Sequence, residues 1–492
     1  MPIGEGVSDA FDRAADTVYN QGGFNADDMN NDAARQLLTA TANTIKQGVD
    51  SHLPVDVPPT LRYALENNAF IFSGLKTFHA LREVGLSMVN DDGSIKSFDE
   101  FKADVKQINQ RYNENYLYAE YKHAVGTSQM AAKWVDIEAD GDRYDLQYRT
   151  AGDNKVRPDH AALDGITLPP SDPFWSKYYP PNGWGCRCTA VQVRVGKYPR
   201  SNPADAMQAG DVATDEAKQK MFRYNAGKTL NLFPPKHPYY KAPVGAKAVV
   251  QQVATQQHQQ QRAADMLAEL PANLTDAEKQ AIVQHCQKLE TTFSMVKGKR
   301  MTVEQADKQA ANPNYGKNRY YGINCQTCSA AYALRLLGFN LWAKPNTPNS
   351  KLDYLSNGMH NWEKWLNIDG TPAKHTELRT WAVTKGYTKL TPKRYLEFFN
   401  EVCKEPGIYE LSIGWRGRGG HSTILQRFED GTLRYIEPQH DNSVGSGREK
   451  THDINYLANN GACALHRIHQ CRGIMRIDNK LFNDAFAEIF DH

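Results

Sequence analysis

Residues 322–340 read GINCQTCSAAYALRLLGFN, the pattern of one short helix with two thiols in its first turn. Asn324 is a good N-cap, residues 325–337 contain neither Gly nor Pro, and Gly338 stands where a left-handed C-cap is usual. The unpaired N–H groups and dipole of a first helical turn stabilise an anion, which draws a cysteine there toward its thiolate. Cys325 and Cys328 are therefore candidate nucleophiles. A buried pair packing as small hydrophobes, and a redox or zinc Cys-x-x-Cys, are the alternative readings of the same pattern.

Further along, residues 415–439 read WRGRGGHSTILQRFEDGTLRYIEPQ: a glycine-rich approach to His421, then two alternating runs around Glu429, Asp430 and Gly431. The turn length decides what this hairpin can do. With a two-residue Asp430-Gly431 turn, Ile424 faces Glu437, and the carboxylate lies on the opposite side of the sheet from His421. With a three-residue loop and Gly431 left-handed, His421 pairs with Gln439 and sits diagonal to Glu437 on one face. The second register assembles a base and the group that orients it. Cysteine, histidine and a carboxylate or amide form the constellation for thiol-based acyl transfer.

These residues resemble the papain-fold toxin domains found at the ends of bacterial polymorphic toxins and some phage head proteins. The matching pieces are the Asn-Cys-x-x-Cys helix start at Asn324, the helix end at Gly338, the lone His421 opening a strand, and the triplet Glu437-Pro438-Gln439. In that family the triplet usually begins with Asp, so Glu437 is a departure at the orienting position. The resemblance implies thiol hydrolysis of an amide, as in thiol proteases and protein glutamine deamidases, with no cofactor. Cys328, followed by small residues, fits the papain pattern in which a cysteine three positions upstream is not the nucleophile; Cys325 lies earlier in the positive first turn. The reading favours Cys328. First-turn N–H groups, with Asn324, Gln326 or Gln439, are the oxyanion donors it implies.

A chain of 492 residues is too long for one core, and two to three domains are expected. The formal net charge is +2 and the mean hydropathy −0.65, which gives no support for a nucleic-acid or membrane partner. No apolar run approaches membrane-spanning length, and the start MPIGEGVSDAFDRAAD lacks the form of a signal peptide. A protein kept in a cytosol, or packaged into a particle assembled there, is expected. Four of the eight cysteines form two close pairs, Cys186 with Cys188 and Cys325 with Cys328, which looks like sites rather than a disulfide framework. Cys286, Cys403, Cys463 and Cys471 read as structural.

Toward the N-terminus, Leu38, Ala42, Ile45 and Val49 recur at helical spacing, as do Phe101, Val105, Ile108 and Tyr112, and residues 60–89 form a third helical stretch. From Trp134 short strands appear, with Tyr144, Leu146 and Tyr148 alternating, then Val191, Val193 and Val195. Between them lie Arg157-Pro158-Asp159-His160, Leu163-Asp164-Gly165, Asp172-Pro173-Phe174-Trp175 and the run from Pro181 to Cys188. This set is similar to the signature of the phage Mu F-type minor head proteins and extends over residues 1–200. It implies a virion component made near the portal, with portal and capsid or scaffold proteins as partners, and able in some relatives to carry cargo domains. Within it, His160, Cys186 and Cys188 offer three ligands of the kinds zinc prefers, with Asp164 the nearest fourth; hydrogen bonding by the histidine and packing by the cysteines is the alternative.

Residues 201–297 are polar, proline-rich and then glutamine-rich, and read as a linker with helical segments. Residues 298–492 would be the papain-like domain, with helices expected over 361–368 and 377–386, and with Arg416 and Arg418 flanking the glycine loop as solvated surface or as a seat for an acidic substrate patch. The fold class expected is α+β multidomain: a mainly helical head domain with a small β part, then a papain-like α+β domain. Two functions compete. One is a virion-borne thiol hydrolase acting on a host protein after delivery to the host cytoplasm, or maturing the capsid. The other is a structural virion protein whose papain-like fold is a non-catalytic binding module.

Overall fold

The computed structural model describes residues 5–54, 56–307, 310–357, 360–414, 420–439, 454–458 and 473–492. Arg416, Arg418, Cys463 and Cys471 lie outside these residues. The chain divides into two compact units, residues 1–262 and 263–492.

The first unit is built on α1 (Glu5–Gln21), α2 (Asp32–His52), α3 (Pro59–Leu86), α4 (Phe98–Asn109) and α5 (Leu117–Asp140). Each of α1, α2 and α4 buries one apolar stripe. In contrast, α3 buries Leu65, Ala69, Phe70, Phe72, Leu75, Phe78 and Leu81 around more than one face, which makes it the central helix. Its buried Lys76 is neutralised by Glu120 of α5, 2.5 Å away. A three-stranded antiparallel sheet follows, in the order β2 (Thr167–Leu168), β1 (Tyr144–Arg149), β3 (Thr189–Arg194), with Tyr144 opposite Arg194 and Arg149 opposite Thr189. Trp175, Tyr178 and Tyr179 fill the core under this sheet.

The stretch read as a linker is folded. Tyr224, Leu232, Phe233 and Tyr239 enter the core of the first unit. The glutamine-rich segment belongs to α6 (Val244–Glu269), which buries Val250, Val253, Ala254 and His258. Thr39 and Asn43 of α2 donate to the side-chain oxygens of Gln257 and Gln261, each at 3.0 Å. Glutamine is a good helix former and hydrogen-bonds along a packed seam, so a few apolar residues at helical spacing suffice to dock the segment. Residues 263–297 belong to the second unit. There Met266 and α7 (Asp276–Phe293), started by the reciprocal cap of Thr275 and Glu278, contribute Ile282, Val283, Cys286, Leu289 and Phe293 to the core.

The centre of the second unit is α8 (Cys325–Leu337), all but its last residue buried. Beside it lies a five-stranded antiparallel sheet in the order β4 (Thr376–Glu377), β8 (Gly473–Arg476), β5 (Gly407–Gly414), β6 (Gly420–Arg427), β7 (Leu433–Ile436). One sheet face, with Ile408, Ile424, Ile436 and Met475, shares a core with Ala330, Ala331 and Leu334 of α8. The other, with Tyr409, Leu411, Ile413 and Leu425, packs on the helices Leu378–Thr384 and Pro392–Val402. The helix expected over 361–368 is instead a short turn at His360–Trp362 and a strand at Trp365–Leu366. Pairing of Trp365 with Phe482 and the bond from its indole to Glu410 outweigh local propensity there.

Gly338 ends α8 with φ +108°, and a Cβ at this position would lie 2.3 Å from the Gly298 carbonyl oxygen. Both the left-handed backbone and the contact with main chain exclude a side chain. Gly338→Ala is expected to cost at least about 1–3 kcal/mol in denaturant unfolding; a loss under about 0.5 kcal/mol, the usual range for an unconstrained surface position, would contradict this packing. Among the described residues, no helix is long and apolar enough to cross a membrane.

Candidate functional site

The hairpin adopts the three-residue loop. Leu425 pairs with Tyr435 and Arg427 with Leu433, Phe428 N–H donates to Thr432 O at 2.9 Å, and Gly431 has φ +79°. Continued along the strands, this register sets His421 opposite Gln439 and diagonal to Glu437. The His421 Nε2 lies 2.7 Å from Glu437 Oε2, and both side chains are buried. Glu437 is itself fixed, because Tyr435 donates its hydroxyl to Oε2 and the Gln439 N–H donates to Oε1 at 3.1 Å. The extra methylene of Glu relative to Asp is therefore taken up without loss of the carboxylate–imidazole contact.

Of the two thiols, Cys325 is the one near enough to the His421 imidazole to raise its affinity for a proton. Cys328 is turned inward, fully buried, with its Sγ 3.3 Å from Asn324 Oδ1. Burial, and then the nearby Cys325 and Glu437, push the Cys328 thiol well above its ordinary range. Three residues along a helix rotate a side chain most of a revolution, so the two thiols of this turn have different surroundings, Cys328 in the core and Cys325 near the histidine. For His421, burial alone would lower the imidazole's affinity for a proton. The Glu437 carboxylate, together with Cys325, outweighs burial and raises it to about 10.

Asn324 occupies the N-cap position without using its side chain as a cap. That side chain is enclosed, donating to Asn312 Oδ1 at 3.1 Å and Lys344 O at 3.0 Å. Its place at the helix start is taken by Gln439, whose amide oxygen, turned toward the helix, accepts from the Asn324 and Cys325 N–H groups, both at 3.1 Å. Gln326 is likewise occupied, its side-chain oxygen 2.5 Å from Lys364 Nζ. Of the three side chains considered as oxyanion donors, Gln439 alone stands at the Cys325 backbone.

Three groups around this centre had no signal in the sequence. Asn312 donates to Tyr321 O and Gln439 O, both at 3.0 Å, and ties the helix start to the end of the hairpin. Asp307 is raised to about 7 by burial, with Glu437 and Glu304 adding to the effect. The third is a buried network. Lys364 Nζ reaches Glu410 Oε1 at 2.7 Å and Asn361 O at 2.6 Å; Glu410 accepts from Trp365 Nε1 at 2.6 Å and Ser422 Oγ at 2.5 Å; and the Ser422 and Ser329 hydroxyls are 3.0 Å apart. It bonds the residue after Cys325 to the residue after His421. The alternation of Tyr409, Leu411 and Ile413 marks one buried face of β5; burial of Glu410 on the other face is set by long-range contacts.

In the first unit, His160, Cys186 and Cys188 come together as expected. His160 Nδ1 is 3.6 Å from Cys186 Sγ and 3.8 Å from Cys188 Sγ. Asp164 does not join them: its Oδ1 accepts from the Thr150 N–H at 2.7 Å and hydroxyl at 3.0 Å. The turn holds it away because a carboxylate one helical turn past His160 caps the strand end instead.

Comparison with known proteins covers part of the first unit. Residues 94–191 match the family described as Phage Mu protein F like protein. The chain is 32% identical over 105 residues to "Putative capsid assembly protein F" of Escherichia phage Mu, which is 20% of this chain and 24% of that protein. It is 34% identical over 89 residues to "Mu-like prophage FluMu F protein" of Haemophilus influenzae, 17% of this chain and 22% of that one. The chain thus spans about a quarter of the length of these curated relatives. No solved structure matches it. The match is narrower than the 1–200 carried by the sequence signature, yet it contains β1, β2, His160, Cys186 and Cys188; residues 94–191 are a Mu F-like domain within a longer chain.

Proposed function

We propose that this chain is a phage head component whose second unit is a papain-like thiol hydrolase acting on an amide, with Cys325 as nucleophile. The observation that supports it most strongly is His421, held by Glu437 at 2.7 Å and raised in proton affinity by Glu437 and by Cys325 at the start of α8. The imidazolium supplies the counter-charge that a thiolate at Cys325 requires, and Glu437 fixes its orientation.

The thiolate would attack a carboxamide or peptide carbonyl, forming the C–S bond as the carbonyl electrons move to oxygen. Gln439 now places a carboxamide oxygen on the Asn324 and Cys325 N–H groups. A substrate oxygen taking over those two donors would be stabilised as negative charge develops. Collapse breaks the C–N bond while His421 gives its proton to the leaving amine, or to ammonia if a glutamine side chain is the substrate. Water then attacks the thioester, returning a proton to His421 and releasing the acid. The two Mu F-type relatives support a head assignment, association with other phage head proteins and residence in the virion; portal, capsid or scaffold partners and a host protein substrate met after delivery are part of the proposal.

The test is proteome-wide mass spectrometry of host lysate after incubation with full-length protein or Cys325→Ala. Gain of about one dalton at glutamine identifies a deamidase and new chain ends a protease, in either case absent with the variant. Identical peptide sets from both proteins would sink the hydrolase reading and leave a binding module.

A further inference from the structure

We propose that His160, Cys186 and Cys188 of the first unit hold a zinc ion through Nδ1 and two thiolates, with the fourth coordination position open to solvent. The geometry is the argument. Zinc bound at about 2.3 Å to sulfur and about 2.0–2.1 Å to nitrogen at tetrahedral angles sets each S···N edge at about 3.5 Å. The two S···N separations here are 3.6 and 3.8 Å, and all three ligand atoms lie within 4.8 Å of one another. Neutral imidazole–thiol contacts alone give weak hydrogen bonds for three groups so deeply placed.

The surroundings hold the ligands in that arrangement before any ion arrives. The Cys186 N–H closes a turn onto Gly183 O at 3.1 Å, and Gly185 at φ +67° lets the chain reverse between the two. Arg157, next but two before His160, donates to Trp184 O at 2.6 Å. Arg187, between the cysteines, is forked on Asp153 with both bonds at 2.6 Å, which pins the loop that carries them. His160 is 2% exposed, and its Nε2 has no hydrogen-bond partner among the described residues. A proton on that buried nitrogen leaves the Nδ1 lone pair directed at the sulfurs, the tautomer a metal ligand needs.

Among the described residues no further His, Cys, Asp or Glu joins the three. Cys186 and Cys188 line a cleft of about 1300 Å³ together with Lys155, Gly185 and Thr189, and the fourth position faces it. A water there completes the tetrahedron. The ion would fasten the short helix Pro158–Ala161 to the start of β3, and its binding releases two thiol protons to solvent. No redox step is involved.

The experiment is metal analysis of the full-length chain, alongside Cys186→Ser, Cys188→Ser and Cys325→Ala. About one zinc per chain is expected in the parent and in Cys325→Ala, falling at least about tenfold in either of the other two. Should the serine variants fail to fold, the parent protein still decides: alkylation of Cys186 and Cys188 should be slowed by added Zn²⁺ and restored by a chelator. A folded parent with less than about a tenth of an equivalent of zinc, and alkylation of these two thiols indifferent to added Zn²⁺, would overturn the site. Loss of zinc in Cys325→Ala alone would do so too, assigning the ion to the second unit.

Discussion

Brief exposure of the full-length chain to limiting iodoacetamide at about pH 5.5 is expected to label Cys325 ahead of every other cysteine. At that pH a thiol of ordinary pKa, about 8.5, is thiolate in roughly one molecule in a thousand. The positive His421 imidazolium near Cys325 favours attack by its sulfur, so an advantage on the order of 10²–10³-fold is expected. His421→Ala should remove most of it, and Glu437→Gln should remove part by loosening the imidazole. Cys328, buried and with its thiol pushed up, should react only on unfolding. Peptide mapping after intact-mass analysis gives the order. Slow and uniform labelling of the exposed thiols would leave the second unit as a papain-shaped binding module. The same pair also sets a pH window. Because the folded His421 is raised to about 10 from an ordinary 6.5, its charged form stabilises the fold fully below about 6.5, and that contribution is lost as pH climbs through about 10. Thermal melts of parent and His421→Ala should therefore converge at the alkaline end.

The second large effect lies behind the site. Lys364 and Glu410 are both 0% exposed and 2.7 Å apart. Removing one partner leaves the other buried without its counter-charge, at a cost of about 3–5 kcal/mol. Lys364→Met or Glu410→Leu alone should therefore cut the stability of the second unit severely in urea unfolding followed by tryptophan fluorescence. The double variant should recover a large share, since two apolar groups of matching volume lose the attraction and the desolvation cost together. Additive losses in the double variant would show that the pair does not act as a unit. Labelling of Cys325 distinguishes stability from placement. The network bonds Gln326 through Lys364 and Glu410 to Ser422, so a double variant that folds should still label more slowly than the parent.

What could be read from sequence was whatever depends on local spacing. The limits of α8 and the left-handed Gly338 follow from runs shorter than about twenty residues, and the hairpin was legible as two alternative registers, between which the structure decides. The different surroundings of Cys325 and Cys328 were not legible, because they depend on which side of the first turn meets a strand nearly a hundred residues later. The glutamine-rich segment failed for a related reason. Its composition describes the exposed side of α6, while Val250, Val253 and Ala254 decide what it docks on. Lys364, Glu410 and Asn312 carry no local pattern at all; each bonds at least one partner 38 or more residues away.

The turn at residues 429–431 imposes a rule of parity on this site. Side chains alternate along a strand, so each residue added to or removed from the turn exchanges the two faces of everything after it. Loss of one residue would carry Glu437 and Gln439 away from His421, and in the same step turn Leu433 and Tyr435 out of the core they fill. Substitution within the turn leaves that phase untouched. Variation in the length of this loop is therefore confined to even steps, whereas variation in its composition is free wherever Gly431 keeps its left-handed backbone.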